Sequence, residues 1–281
     1  MATSATTLAT RWRVLRRSPT FWIGGLIVLM WVVFAIFGDF VTPYDPQGSP
    51  QDILNRLQPP SSEHWFGTDD LGRDMLSRVL AGARRVITVS AAATVLGTIL
   101  GTAIGLVIGY FGGIVDDAIS RVLDAFLSIP LVITGMLALA ALGPNTLGVI
   151  IVIGLVFTPI IAKTVRAAVL NERQLDYVTA AQLRKEGSLY ILFVEILPNV
   201  LSVVIVEFTV RLGYAIFTVL TLAYLGFGVD PSVPDWGQTI FQNYGFLTGN
   251  IWWPVLFPAL AIASLVVGVN LLADAISQAF E

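Results

Sequence analysis

Cysteine is absent from this sequence and histidine occurs once, at His64, and both scarcities exclude kinds of chemistry. Without cysteine the chain has no disulfide, no thiolate nucleophile and no zinc–sulfur site. One histidine cannot supply a histidine metal site, and a zinc protease of the HExxH type needs two. Charge is also scarce, since 12% of the 281 residues are Asp, Glu, Lys or Arg, against about 25% in an average soluble domain. A soluble fold of this length would have too few charged groups to cover its surface.

The chain is instead rich in apolar residues, with 56% hydrophobic residues and a mean hydropathy of +0.80. Its 25 glycines and 14 prolines follow no collagen period and form no low-complexity block. The formal net charge of −3 argues against nucleic acid as a partner. We therefore predict an all-α integral membrane protein whose surroundings are lipid.

Six segments are long and apolar enough to cross a bilayer, which takes about 20 residues for a hydrocarbon core of roughly 30 Å. Their approximate ranges are 21–40, 86–111, 118–142, 147–169, 191–213 and 252–276. The first is too long for a signal-peptide core and no small-residue cleavage site follows it, so a retained helix is predicted. A further apolar stretch, 214–225, is too short to span, and it either extends the fifth helix or re-enters the membrane.

Basic residues indicate the orientation of these spans, because lysine and arginine concentrate on the cytoplasmic side. Ten of the 16 basic residues fall on one side, five fall on the other, and Arg211 lies within the fifth span. This distribution predicts that both termini are cytoplasmic. The expected organisation is a cytoplasmic tail (1–20), a first transmembrane helix (21–40), an extracytoplasmic loop with an FGTDDLGRD motif (41–85), and a transmembrane core (86–281) with a cytoplasmic loop at about 170–190.

Enzymatic chemistry within the chain is not expected. No GxSxG elbow occurs, and the single histidine lies beside the polar outer loop, so no nucleophile has a base in reach. A Walker A loop needs a lysine preceded by glycine, whereas Lys163 and Lys185 follow Ala162 and Arg184. We predict no catalytic residue, no metal site and no cofactor in this chain.

Few charged residues fall within the predicted spans. Glu207 and Arg211 stand four apart on one face of the fifth helix, where they can pair. They either line a translocation path or form a neutralised structural pair, and the sequence leaves both open. Asp124 is expected to pair with Arg121 near the inner surface, and Asp274 to reach the cytoplasmic interface.

Glycines recur every fourth residue along the second span and continue to Gly113. This spacing creates a flat stripe that lets another helix approach closely, either within the chain or in a partner. The predicted helix-packing residues are Gly97, Gly101, Gly105 and Gly109.

The cytoplasmic loop contains a short helix by its composition. Asp176 is the predicted N-cap, the alanine-containing stretch after it favours helix, and Gly187 is expected to end it. Ala180 and Ala181 are expected to be exposed. Held between two long membrane helices, such a segment can act as a lever for a cytosolic partner; the alternative is a solvated connector.

Three blocks of sequence resemble those of a known family. Tyr177-Val-Thr-Ala-Ala, followed by Leu197-Pro-Asn, resembles the EAA loop of ABC importer permeases. The block at 64–78 with Gly82-Ala-Arg after it is similar to the FGTDxLGRDxxSR signature of the DppC/OppC peptide-permease group, and the blocks at 225–228 and 234–237 resemble its LGLG…PSWG segment. The sequence departs from the EAA pattern at Thr179, where the family has Glu, and at Lys185, where it has Gly.

The resemblance implies the fold of a type I ABC importer permease in the plasma (inner) membrane of a prokaryote, importing dipeptides or oligopeptides. Implied partners are a second permease chain of the DppB/OppB type, one or two cytoplasmic subunits that bind ATP and Mg, and an extracytoplasmic substrate-binding protein. Nickel or haem as cargo, and a secondary transporter or channel without ATP coupling, are the alternatives. The residues implied in coupling to the ATPase subunit are Tyr177, Thr179, Ala180, Ala181 and Gly187.

Overall fold

The computed structural model describes residues 12–48, 50–143, 145–227 and 232–280, and within these ranges the chain is helical and has no β-strand. Arg11, one of the ten basic residues counted above, and Gly228, in the block at 225–228, lie outside the described residues. The main helices are α1 (Pro19–Val41), α2 (Met75–Phe111), α3 (Gly113–Leu127), α4 (Leu131–Leu142), α5 (Thr146–Glu172), α6 (Asp176–Leu183), α7 (Ser188–Phe227), α8 (Trp236–Asn243) and α9 (Trp253–Phe280).

Five of these helices, α1, α2, α5, α7 and α9, are long and apolar enough to cross a membrane. The third predicted span, 118–142, is not one helix, because α3 and α4 meet at an angle of 86°. The break lies at Pro130, which lacks a backbone N–H and disfavours helical geometry at the residue before it. The prediction of a continuous third helix is therefore wrong, although α3 and α4 together pass the test for a sixth span.

The second and fifth spans belong to longer helices than predicted. Helix α2 has 37 residues and begins at Met75, where the side chain of Asp74 accepts a hydrogen bond from Ser77 N at 2.8 Å. Helix α7 continues through 214–225 as α-helix to Leu222 and then as a π-helical turn over Ala223–Phe227. The stretch 214–225 therefore extends the fifth helix and does not re-enter.

The loop before α2 contains no α-helix in its described part and has only a 3₁₀ turn over Pro50–Asn55. Two large buried clusters, together with a third of three residues between α2, α3 and α5, form the core of the described part of the chain. The larger of the two large clusters joins α2, α5 and α7 and reaches α6, and the other packs α1, α2 and α9 around Trp236 of α8. Helices α1 and α9 approach closely because glycines face each other, and a Cβ on Gly24 would lie 2.7 Å from Gly268 O.

Candidate coupling helix and its supporting helices

The glycine stripe of α2 packs against α5 of the same chain. A Cβ added to Gly101 would lie 2.7 Å from Ile161 Cβ, and one added to Gly105 would lie 2.7 Å from Ala162 O. Gly97 and Gly109 meet α5 in the same way. This contact decides between the two alternatives that the sequence left open, since the partner of the stripe is within the chain.

Gly113 does not belong to this stripe, so its inclusion was wrong. Helix α2 ends at Phe111, and Gly113 begins α3 with φ +55° and no atom within 4 Å of an added Cβ. The positive φ of the preceding Gly112 turns the chain out of α2, so the four-residue spacing does not continue into α3.

The C-terminal end of α2 is hydrogen-bonded to the segment after α5. Arg173 donates two hydrogen bonds of 3.1 Å, to Gly109 O and to Tyr110 O. A guanidinium there satisfies carbonyls that the last helical turn leaves without partners. These two bonds join the segment after α5 directly to the last turn of α2.

Two ion pairs hold α3 to α5. Arg166 makes a bidentate pair with Asp116 at 2.5 Å for both bonds. Asp124 pairs with Lys163 of α5. The predicted partner of Asp124, Arg121 one turn away, was wrong because α3 lies across α5 and brings a lysine distant in sequence to the carboxylate.

Helix α6 lies between α5 and α7, in the loop predicted to be cytoplasmic, and one of its faces packs into the core. Val178 and Ala181 are both 0% exposed and belong to the larger buried cluster. Ala180 is exposed as predicted, whereas the expectation that Ala181 is exposed was wrong. The two alanines point to different sides because neighbouring residues are about 100° apart around an α-helix.

The start of α6 also differs from the prediction. Asp176 is its first helical residue, not its N-cap; Leu175 precedes it with extended dihedrals and makes no side-chain capping bond. An acidic residue in the first turn still interacts favourably with the helix dipole.

The end of α6 is a Schellman turn that uses Lys185 instead of glycine. Glu186 N donates to Ala181 O at 3.2 Å and Lys185 N donates to Gln182 O at 2.9 Å. Lys185 adopts φ +57°, a left-handed conformation that costs an L-residue about 1–2 kcal/mol. The prediction that Gly187 ends the helix was wrong, since Gly187 has φ −65° and precedes α7.

Side chains tie α6 to both neighbouring membrane helices. Tyr177 Oη donates to Glu172 Oε2 at 2.7 Å, and burial together with this hydrogen bond raises the pKa of Tyr177 to about 12. Arg184 donates to Glu195 Oε1 of α7 at 2.9 Å. The exposed side of α6 carries Thr179, Ala180 and the 79% exposed Leu183.

Glu207 and Arg211 form the ion pair that their spacing allows, with 2.9 Å between Oε2 and Nε. Their side chains are 14% and 16% exposed. Pairing by itself is compatible with both alternatives, a structural pair and a pathway element. Asp274 is exposed and lies six residues before the end of α9.

On the opposite side of the molecule, the two outer loops are locked together by buried charges that sequence reasoning did not identify as a cluster. Asp69 pairs with Arg73 at 2.6 Å within the first loop, and Arg73 also donates to Gln242 Oε1 of α8 in the second loop at 3.3 Å. Asp235 of the second loop pairs with Arg85 of α2 at 3.2 Å. Trp236 donates to Val79 O at 2.8 Å. Only the Asp69–Arg73 spacing of four residues is a local signal; the other contacts join residues far apart in sequence.

The arrangement also explains why residue 82 is a glycine. A Cβ at Gly82 would lie 2.7 Å from the indole ring of Trp236, so only glycine lets the ring seat against α2. In the same layer Asp74 both caps α2 and contacts His64 Nδ1 at 2.9 Å. Among the described residues, no group of three or more His, Cys, Asp or Glu side chains could hold a metal ion.

Comparison with known proteins matches two parts of the chain to described families. Residues 101–281 match the family described as "Binding-protein-dependent transport system inner membrane component". Residues 6–60 match the "N-terminal TM domain of oligopeptide transport permease C".

Curated relatives align over nearly the full chain. The di/tripeptide transport system permease protein DppC of Pseudomonas aeruginosa is 35% identical over 266 residues, which is 92% of this chain and 87% of the relative. The probable D,D-dipeptide transport system permease protein DdpC of Escherichia coli is 33% identical, over 95% of this chain and 89% of the relative.

A solved structure shares the fold. The inward-facing MetNI methionine ABC transporter contains a chain that matches with a TM-score of 0.57 and 18% identity, over 74% of this chain and 98% of that chain. The first family match covers more than half of the chain, and the two curated relatives are 35% and 33% identical over nearly all of it. The chain therefore belongs to the family of inner membrane components of binding-protein-dependent transport systems.

Proposed function

We propose that the chain is one of two membrane subunits of an ATP-driven importer of dipeptides and oligopeptides, and that it forms half of the translocation pathway. The names of the relatives support a peptide cargo, since they are permeases for di/tripeptides and D,D-dipeptides. They give no support to nickel or haem import, or to a secondary transporter or channel.

The observation that carries the proposal is the two-sided architecture of α6. Its inner side is fixed by Val178 and Ala181, which are fully buried, and its outer side presents Ala180 and Leu183. A leucine that is 79% exposed on a short helix outside the membrane spans is apolar surface available to a partner protein. We propose that Tyr177, Thr179, Ala180 and Gly187 lie in or beside this contact, and that Ala181 supports it from behind.

The chain's part in transport is to convert displacement of α6 into movement of its membrane helices. Tyr177 connects α6 to Glu172 of α5, and Arg184 connects it to Glu195 of α7. ATP and Mg²⁺ are held by the partner subunits in this proposal, and their binding and hydrolysis supply the driving force. Because α5 is packed along the glycines of α2, movement of α5 carries α2 with it.

The remaining partners follow from the family. We propose a second permease chain of the DppB/OppB type, one or two cytoplasmic ATP-binding subunits, and an extracytoplasmic binding protein that docks on the locked outer loops. In this proposal both termini are cytoplasmic, as the basic residues predict, so that α6 lies on the side of the ATPase subunits and the outer loops lie on the side of the binding protein.

The test is uptake by the purified complex. A tagged copy of this chain is used to isolate its partners from the native membrane, and the complex is reconstituted in liposomes with the binding protein outside. We expect labelled dialanine to accumulate only when ATP is enclosed. Accumulation without ATP, or driven by an ion gradient, would contradict the proposal; uptake of nickel or haem in place of dialanine would reassign the cargo.

A further inference from the structure

A groove runs between α7 and the C-terminal half of α9, and its lining is unusually polar for membrane helices. It consists of two successive cavities of about 270 Å³ and about 510 Å³. The smaller one is lined by Glu207 and by the hydroxyl residues Thr164, Ser202 and Ser277. The larger one is lined by Tyr214, Asn270 and Asp274, among apolar side chains.

Two carboxylates line this groove, Glu207 in the smaller cavity and Asp274 in the larger one. Arg211 lies beside the groove, where it bonds Glu207 at 2.9 Å and its guanidinium carbon lies 5.5 Å from the ring centre of Tyr214, a residue of the larger cavity. Asp274 forms no ion pair with any residue that the structure describes. The groove therefore holds a paired glutamate and arginine together with one carboxylate that lacks a cationic partner.

The chain itself does not cover the groove. Tyr214 is 57% exposed and Phe217 is 60% exposed, and both line the larger cavity. Ionisable groups within membrane helices normally face water, a bundle interior or a cavity, because exposure to lipid is costly. An uncovered groove with an unneutralised carboxylate is thus expected to face an aqueous passage.

We propose that this groove binds the charged ends of short zwitterionic peptides in transit. Arg211 contacts the peptide carboxylate, and Glu207 and Asp274 contact the ammonium group. A zwitterion can replace the Glu207–Arg211 contact without changing the net charge, so the pair opens and recloses as cargo passes. This inference rests on the proposed function, because it names the part of the pathway that contacts the peptide.

The experiment compares variants of the full reconstituted complex, with labelled dialanine as the probe and the number of peptides imported per ATP hydrolysed as the readout. Glu207→Gln with Arg211→Gln removes both charges and leaves two amides that can still bond, so a merely structural pair is largely preserved. Asp274→Asn removes a charge that has no partner to orphan. The matched control is Asp124→Asn with Lys163→Gln, an ion pair outside the groove.

We expect both groove variants to retain ATPase stimulation by the loaded binding protein while peptides per ATP fall about tenfold, the scale of losing one charged contact. The control should keep the wild-type ratio. A wild-type number of peptides per ATP in both groove variants would overturn the inference. An equal fall in peptides per ATP in the control variant would overturn it too.

Two further outcomes are decisive. If the double variant does not assemble, the test rests on Asp274→Asn alone. A wild-type number of peptides imported per ATP in that variant then overturns the inference. If the wild-type complex imports no dialanine, the proposed function fails together with this inference, and that failure is visible in the wild type before any variant is measured.

Discussion

At the scale of residues, Ala180 and Ala181 show how neighbouring identical side chains take different roles. Ala181 is 0% exposed within the core that joins α6 to the membrane helices, while Ala180 faces outward. A substitution at Ala181 therefore reports on folding of the chain, and a substitution at Ala180 reports on contact with a partner.

We predict that Ala180→Glu and Ala181→Glu separate these roles. Ala181→Glu buries an unpaired carboxylate and excess volume, and overpacking alone costs about 1–3 kcal/mol. The expected result is a lower yield of folded chain and a lower thermal midpoint in detergent. Ala180→Glu should keep both at wild-type values and reduce peptide-stimulated ATPase activity in the assembled complex.

Each half of this prediction has its own contradicting result. Normal yield and thermal midpoint for Ala181→Glu would mean that the packing of α6 on the core is not as described. Normal ATPase stimulation for Ala180→Glu, with normal uptake, would mean that the exposed side of α6 does not contact an ATPase subunit.

At the scale of elements, the pair α2–α5 is the central packing unit of the molecule. Glycines at four-residue spacing let the two helices approach until an added Cβ would lie 2.7 Å from atoms of the opposite helix. Backbone carbonyls of α5, such as Ala162 O, are among those atoms, and they cannot move aside as a flexible side chain can.

Gly101→Leu and Gly105→Leu are predicted to separate α2 from α5. The expected result is loss of folded chain and of complex on size-exclusion chromatography in detergent. Ala103→Leu is the matched control, because Ala103 lies on the exposed side of α2 between these two glycines. Wild-type complex yield for both glycine variants, or equal loss for the control, would show that this helix contact does not hold the fold together.

At the scale of the whole molecule, the two ends of the long helices are chemically different. One end carries the buried charge cluster of the outer loops, including Asp69, Arg73 and Asp235, and the other end carries α6. The distribution of basic residues predicts that the end with α6 is cytoplasmic.

Cysteine labelling tests this orientation, and the natural chain needs no prior mutation because it has no cysteine. We predict that Gln47→Cys in the first outer loop reacts with a membrane-impermeant maleimide in intact cells. Gln174→Cys, just before α6, should react only after permeabilisation. Both side chains belong to exposed residues, so the fold of the chain itself does not block the reagent. Reversed labelling would place α6 outside and remove the basis of the coupling proposal.

The sequence by itself determined the membrane class, the approximate positions of the spans and the family resemblance. Each depends on composition or on short blocks read in order, and transfer of an apolar segment into lipid depends on its own length and hydropathy. The glycine stripe and the Glu207–Arg211 pair could also be predicted from the sequence, because residues four apart lie on the same face of a helix.

The tertiary structure decided everything that needed a partner distant in sequence. It decided that the glycine stripe faces α5, that Asp124 pairs with Lys163, and that Ala181 is buried while Ala180 is not. It also decided that Lys185 adopts the left-handed turn while Gly187 does not. The left-handed conformation favours glycine over lysine at position 185 by only about 1–2 kcal/mol. Packing of Val178 and Ala181 against the core offsets this cost.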